Sequence, residues 1–264
     1  MKKLLLILLA AERAASGYTV VTDQHIDIVS IDYSAAHGLT GAVHADSGDS
    51  SPVDTLLYDG PTGTTSASRP SGSQWDFLGV TAGQPIYFWP QTSLPGRIYA
   101  GFEAQSIPTG TFASWQPADS RITGAARWLE VRLLDVNYFD LSGNPGDADF
   151  SLWTTGQFSS VTVWMASSDG IGANDAFYVT EGGHAHTNWG FSKAGYYQIT
   201  FELGGYLASD PDTWIESAPT TWHFGVEFQP SAIPEPSGWA LGILGLAVIG
   251  VARRFHSFQT EPKN

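Results

Sequence analysis

The chain contains no cysteine. Disulfides therefore add nothing to its stability in any compartment, and thiolate nucleophiles and thiolate metal sites are excluded. Basic residues are scarce too: 12 Lys and Arg stand against 26 Asp and Glu in 264 residues, a formal net charge of −14. Half of those cations sit at the ends, as Lys2, Lys3 and Arg13 in front and Arg253, Arg254 and Lys263 behind. Between residues 17 and 236 only Arg69, Arg97, Arg121, Arg127, Arg132 and Lys193 face 24 acids, a balance of −18. Phosphate binding needs clustered Lys and Arg, so no nucleic-acid partner is expected. An acidic body suits a solvated surface, or one that meets cations.

Catalytic signatures are missing as well. There is no Gly-x-Ser-x-Gly elbow, no His-Glu-x-x-His and no phosphate loop. Acids are many, but no spacing singles out a pair for glycoside hydrolysis, and the chain is read as a non-enzyme. No repeat of fixed period recurs, and no helical period persists over three turns outside the ends.

What the chain does have is aromatic residues, at 13% with 10 Trp, together with 29 Gly and 15 Pro. That balance favours strands and turns. Period-two stretches rich in β-branched and aromatic residues recur as "HIDIVSIDY", "WLEVRLLDV", "SVTVWMAS", "YYQITFEL" and "TWHFGVEF". Clusters such as "ADSGDSSPVD", "DLSGNPGDADF" and "SSDGIGANDAF" separate them as turns. The Ser/Thr-rich "PTGTTSASRPSGS" reads as a long loop or a mobile insert. The expectation is one all-β domain over residues 17–231, a β-sandwich of jelly-roll type.

The two ends read as addresses. Lys2 and Lys3 precede an unbroken apolar stretch over 4–11, and Ala14 and Ser16 sit two apart before a cleavage near residue 16. That is the layout of a secretory signal peptide over 1–16. At the far end Pro234-Glu235-Pro236 is followed by an apolar run, about 238–252, and then by Arg253-Arg254. Its most apolar part, 239–251, would be about 20 Å long as a helix, short against a bilayer core of about 30 Å. The arginine pair would hold its cytoplasmic side.

Several residues are candidates for ligand chemistry. His184 and His186 in "EGGHAHTNWGF" are two apart, as are His25 and Asp27 in "DQHIDI". In extended backbone each pair leaves on one face. If the two strands are neighbours, three imidazoles and one carboxylate would converge on one divalent transition metal such as zinc or copper. The same His-x-His pattern beside tryptophan also fits a hydrogen-bonded structural cluster near a sheet edge. Glu181, His223 and His44 stand in reserve, while His37 and His256 look incidental. Asp140, Asn144, Asp147 and Asp149 offer oxygen donors for calcium, although their spacing is not that of an EF-hand and such clusters are commonly plain turns. Trp75, Trp89, Trp115, Trp153 and Trp214 would stack on sugars if exposed, or pack the core if not.

Two resemblances follow from these residues. Pro234-Glu235-Pro236, the apolar run and Arg253-Arg254 resemble the PEP-CTERM sorting signal of Gram-negative bacteria over about the last 30 residues, with a tail after the arginines longer than that signal's usual few residues. The resemblance implies transient insertion in the inner membrane, processing by an exosortase after signal peptidase has acted, and delivery to the cell surface. The body, from "HIDIVSIDY" through "DFSLWTTGQF", "VTVWMASSDG" and "GGHAHTNWGFSKAGYYQITFEL" to "WHFGVEF", resembles the choice-of-anchor M domain. The "HAHTNWGFSKAGYY" element is also similar to the surface-anchored repeat of actinobacterial wall proteins, which often accompanies metal-uptake systems. These resemblances imply a surface-attached, non-enzymatic β-domain. Its expected role is structural or adhesive, in the envelope or exopolysaccharide matrix; the alternative is metal binding through the His/Asp residues.

Overall fold

The computed structural model describes residues 17–59, 64–157 and 160–227. The expected signal peptide, the sorting residues Pro234, Glu235, Pro236, Arg253 and Arg254, and the apolar run between them lie outside the described residues. Among the described residues no helix is long and apolar enough to cross a membrane.

The fold is all-β, built of three sheets. In the eight-stranded sheet the order is β1 (Thr19–Val21), β5 (Thr55–Tyr58), β18 (Thr220–Val226), β16 (Gly195–Leu207), β9 (Trp128–Phe139) and β10 (Pro145–Gly146). In that sheet β13 (Ala176–Thr180) also pairs with β9, and β17 (Asp210–Glu216) with β16. A second sheet runs β12 (Val161–Ala166), β11 (Phe150–Thr155), β15 (Asn188–Phe191), β7 (Pro85–Trp89) and β6 (Thr65–Ser68). The third runs β14 (His184–His186), β8 (Tyr99–Glu103), β2 (His25–Ser34), β3 (Gly38–Ala45) and β4 (Gly48–Ser50).

All five period-two stretches form strands, as β2, β9, β12, β16 and β18. In β9 Leu129, Val131 and Leu133 are buried and Trp128, Arg132 and Leu134 half-buried, as period two expects, but Glu130 on the outward parity is buried too. Each inward residue is removed from water, and that burial is the main force placing the strand. The stretch "PTGTTSASRPSGS" departs from expectation in its later part. Thr65–Ser68 pair with β7 as an edge strand. Arg69 is buried, its guanidinium donating to the carbonyls of Gly72 and Trp75 and to the carboxylate of Asp76. One cation with three nearby acceptors explains why a polar, Ser/Thr-rich stretch is held in place.

The three sheets share one aromatic core. Trp189 of β15 stacks on Phe102 of β8 at 5.0 Å between ring centroids and on Phe224 of β18 at 5.8 Å. Trp222 of β18 is fully buried and donates its indole N–H to the Ile28 carbonyl at 2.7 Å. These contacts lock β8 and β2 of the third sheet against the rest. A single residue, Thr187, separates β14 in the third sheet from β15 in the second. The short His-Ala-His strand is therefore held at its C-terminal end by the core-anchored Trp189.

Candidate metal site

On β14 and β2 the alternation of a strand sends His184 with His186, and His25 with Asp27, to one face. Strand β8 lies between them. His186 pairs with Gly101, and Gly101 pairs on its other side with Asp27. The row therefore reads His186, Gly101, Asp27 across three strands, and the residue in the middle has no side chain. A Cβ on Gly101 would lie 2.4 Å from Asp27 Oδ1 and 2.9 Å from the His186 ring. The two ligand pairs meet because that position is empty. Sequence reasoning did not single out Gly101; only the register identifies it.

A bulge in β2 completes the arrangement. Asp27 pairs with Gly101 and Val29 with Phe102, which leaves Ile28 as the extra residue. Bulges bend a strand and re-aim its side chains. Here Asp27 faces the histidines while Ile28 and Val29 are both fully buried.

The four side chains come together although β2 and β14 are not the neighbours that the expectation required but flank β8. One donor atom from each of His25, Asp27, His184 and His186 lies within 4.8 Å of all the others. His25 Nε2 is 3.3 Å from His184 Nε2 and 3.2 Å from His186 Nε2. Asp27 Oδ1 is 2.8 Å from His184 Nε2, and Oδ2 is 3.7 Å from His25 Nε2. With donors about 2.0–2.1 Å from a zinc ion, the edges of a coordination tetrahedron are about 3.3 Å. The two His25 contacts match that value, and the donor set as a whole spans up to 4.8 Å. A proton on His25 Nε2 serves only one of its two N···N contacts.

The surroundings prepare the donors. His186 Nδ1 lies 2.9 Å from the Ala100 carbonyl, so Nδ1–H donates there and the Nε2 lone pair is free to face the group. Tyr99 stacks on the His186 ring at 3.5 Å and 13°. Burial, with the neighbouring His184 and His25 adding to it, pushes the His186 pKa down to about 4, which keeps the ring neutral. Asp27 is 2% exposed. Burial raises its pKa; His184 and His25 oppose the shift and Glu103 adds to it. A divalent cation would favour the ionised carboxylate and the neutral imidazoles together.

The reserve residues fall elsewhere. Glu181 carries the loop after Ile107: its carboxylate accepts the N–H groups of Gly110 and Phe112 at 2.5 and 2.6 Å. His223 belongs to the eight-stranded sheet, where Nδ1 shares a hydrogen bond of 2.6 Å with the Tyr196 hydroxyl. His44 stands on β3 directly opposite Asp27. His37 is an exposed turn residue bonded to Ser34.

In the calcium candidate, Asp140 is taken up by its own turn. It accepts the N–H groups of Ser142 and Asn144 and the Asn144 side-chain amide. Asp147 and Asp149 instead line a cavity of about 500 Å³ with Ser167, Ser192 and Lys193. The sugar-stacking reading is corrected for two tryptophans. Trp89 is 0% exposed in the shared core, and Trp153 is 5% exposed in a smaller cluster with Leu78 and Ile86. They lie on opposite faces of the second sheet, Trp89 toward the shared core and Trp153 under the smaller cluster, and on each face the large apolar ring is withdrawn from a glycan. Trp75 is half-buried beside that smaller cluster. Trp115 and Trp214 come together edge to face at 5.2 Å, with Tyr206 against both.

Comparison of the chain with protein-family models, with curated proteins and with solved structures returns no match.

Proposed function

We propose that this chain is an exported cell-surface protein whose acidic β body holds a divalent transition-metal ion, zinc or copper, on His25, Asp27, His184 and His186. One observation carries the reading: four donors from two distant stretches converge within 4.8 Å, and at least one imidazole is oriented by a backbone carbonyl. Three imidazoles and a carboxylate suit zinc or copper better than calcium, which prefers oxygen donors. Export and surface sorting are supported by the sequence of the two ends, and with them the roles of signal peptidase, exosortase and transient membrane insertion. The layering of the sheets as a jelly-roll-like sandwich belongs to the same reading and is supported by their shared core.

A structural or adhesive role in an exopolysaccharide matrix is the second reading. It is favoured by the half-buried aromatic group of Trp115, Trp214 and Tyr206. The test of the first reading is metal content followed by calorimetric titration of zinc and copper into the full chain, purified without a His tag. Stoichiometric binding that disappears in His184→Ala/His186→Ala is the expected result. Absence of binding in the unaltered chain overturns the metal reading and leaves adhesion.

A further inference from the structure

The cross-strand row continues past Asp27. His44 on β3 stands opposite Asp27, and Asp49 on β4 stands opposite His44. In the next row Glu103 pairs with His184 on one side and with Ser30 on the other. Directly paired residues project from the same face of a sheet. One face of the third sheet thus carries His25, His44, His184 and His186 together with Asp27, Asp49 and Glu103.

The carboxylates in this patch are poorly matched by fixed cations. Asp27 and Glu103 are 2% and 6% exposed. The basic side chains within ion-pair distance of them among the described residues are histidines: His25 and His184 beside Asp27, and His44 beside Glu103. No described Lys or Arg forms an ion pair with either. Glu103 Oε1 accepts one hydrogen bond, from Ser30 Oγ at 2.8 Å. The same oxygen lies 3.9 Å from His44 Nδ1. A buried charge is costly to keep unless it is paired or coordinates a metal. A cation on the first group lies beside Asp27, while Glu103 stands in the next row beside His44.

The donors for a second cation are at hand. His44 Nδ1 lies 2.5 Å from Asp49 Oδ1 and 3.9 Å from Glu103 Oε1. Opposed residues of neighbouring strands have Cβ atoms about 4.5–5.5 Å apart, which sets Asp27 close to His44. We infer that His44, Asp49 and Glu103 form a second divalent-cation subsite, beside the first and with Asp27 between them. The inference rests on the metal reading of the first group and extends it to a two-cation face. One imidazole and two carboxylates make a harder donor set than three imidazoles and one carboxylate. The second subsite therefore suits zinc or manganese, while the first suits zinc or copper.

The test is zinc stoichiometry, by native mass spectrometry and calorimetry, on the full chain without a His tag. Three chains are compared: unaltered, His44→Ala/Asp49→Ala, and His184→Ala/His186→Ala. Two zinc ions per unaltered chain, falling to one in His44→Ala/Asp49→Ala, is the expected result. His44 and Asp49 are exposed, so this variant keeps the core intact. The isosteric Glu103→Gln should show the same loss, with an unchanged far-ultraviolet circular dichroism spectrum as the check on folding. A single zinc abolished only by His184→Ala/His186→Ala overturns the second subsite and leaves the first standing. Two zinc ions that survive His44→Ala/Asp49→Ala also overturn it. No zinc in the unaltered chain overturns both.

Discussion

Replacing Gly101 with alanine tests the site's geometry without removing a ligand. The added Cβ would lie 2.4 Å from Asp27 Oδ1 and 3.0 Å from His186 Nδ1, where ordinary contact begins at 3.4 Å. The Asp27 carboxylate, or the alanine and its strand, must give way by about 1 Å. Metal donors tolerate about 0.2 Å, so at least one ligand is misplaced. Changes that merely disturb ligand orientation weaken metal affinity by about 10–100-fold, and the upper end is expected here. If zinc is supplied at about 100 times the unaltered Kd, it stabilises the chain by about 2.7 kcal/mol. After a 100-fold loss the same zinc concentration supplies only about 0.4 kcal/mol. The assay is denaturant unfolding of each chain with zinc and with chelator. The difference between those two conditions cancels whatever Gly101→Ala does to the metal-free fold. A zinc-dependent gain in the variant equal to that of the unaltered chain would refute the account of Gly101 as the gap in which the ligands meet.

Other predictions concern residues outside the site. Burial holds the His223 pKa down at about 4 against an ordinary 6.5. The unfolded chain therefore takes up a proton below pH 6.5 that the folded chain refuses, and stability falls by about 3 kcal/mol as the pH drops toward 4. His223→Asn keeps an acceptor for Tyr196 without titrating, so its pH profile in urea unfolding should be flatter by that amount. Glu181→Ala strips the acceptor from two N–H groups, Gly110 and Phe112. A loss of about 3 kcal/mol with unchanged zinc stoichiometry is expected for this structural carboxylate. Trp89→Ala should destabilise by about 3–5 kcal/mol in the same assay, because the ring is wholly inside the core. If polysaccharide binding is found in retardation gels, Trp214→Ala should weaken it, while a binding loss confined to Trp153→Ala with the fold intact would contradict its placement.

Strands were legible in the chain because their signal is local. Alternation in "WLEVRLLDV" marks Leu129, Val131 and Leu133 of β9 as inward whatever the partner strands are, although the burial of Glu130 is not in that pattern. By the same period-two geometry, His184 and His186 had to share a face, and so did His25 and Asp27. One absence was legible too: without cysteine no thiolate site exists. The burial of Trp89 and Trp153 was not legible, since a tryptophan in a strand has the same sequence whether its face meets a core or solvent.

Only the tertiary structure decided that β14 and β2 flank β8, because that pairing joins residues some 160 positions apart, such as His25 and His186. No local preference encodes such a contact; it follows from the packing of Trp189, Phe102 and Trp222 that draws the sheets onto one core. The same packing sets Gly101 in the row between His186 and Asp27, and buries Glu103 beside His44. Ligand pairs are thus a property of strand periodicity, and the site they form is a property of register, which the burial of the whole core determines.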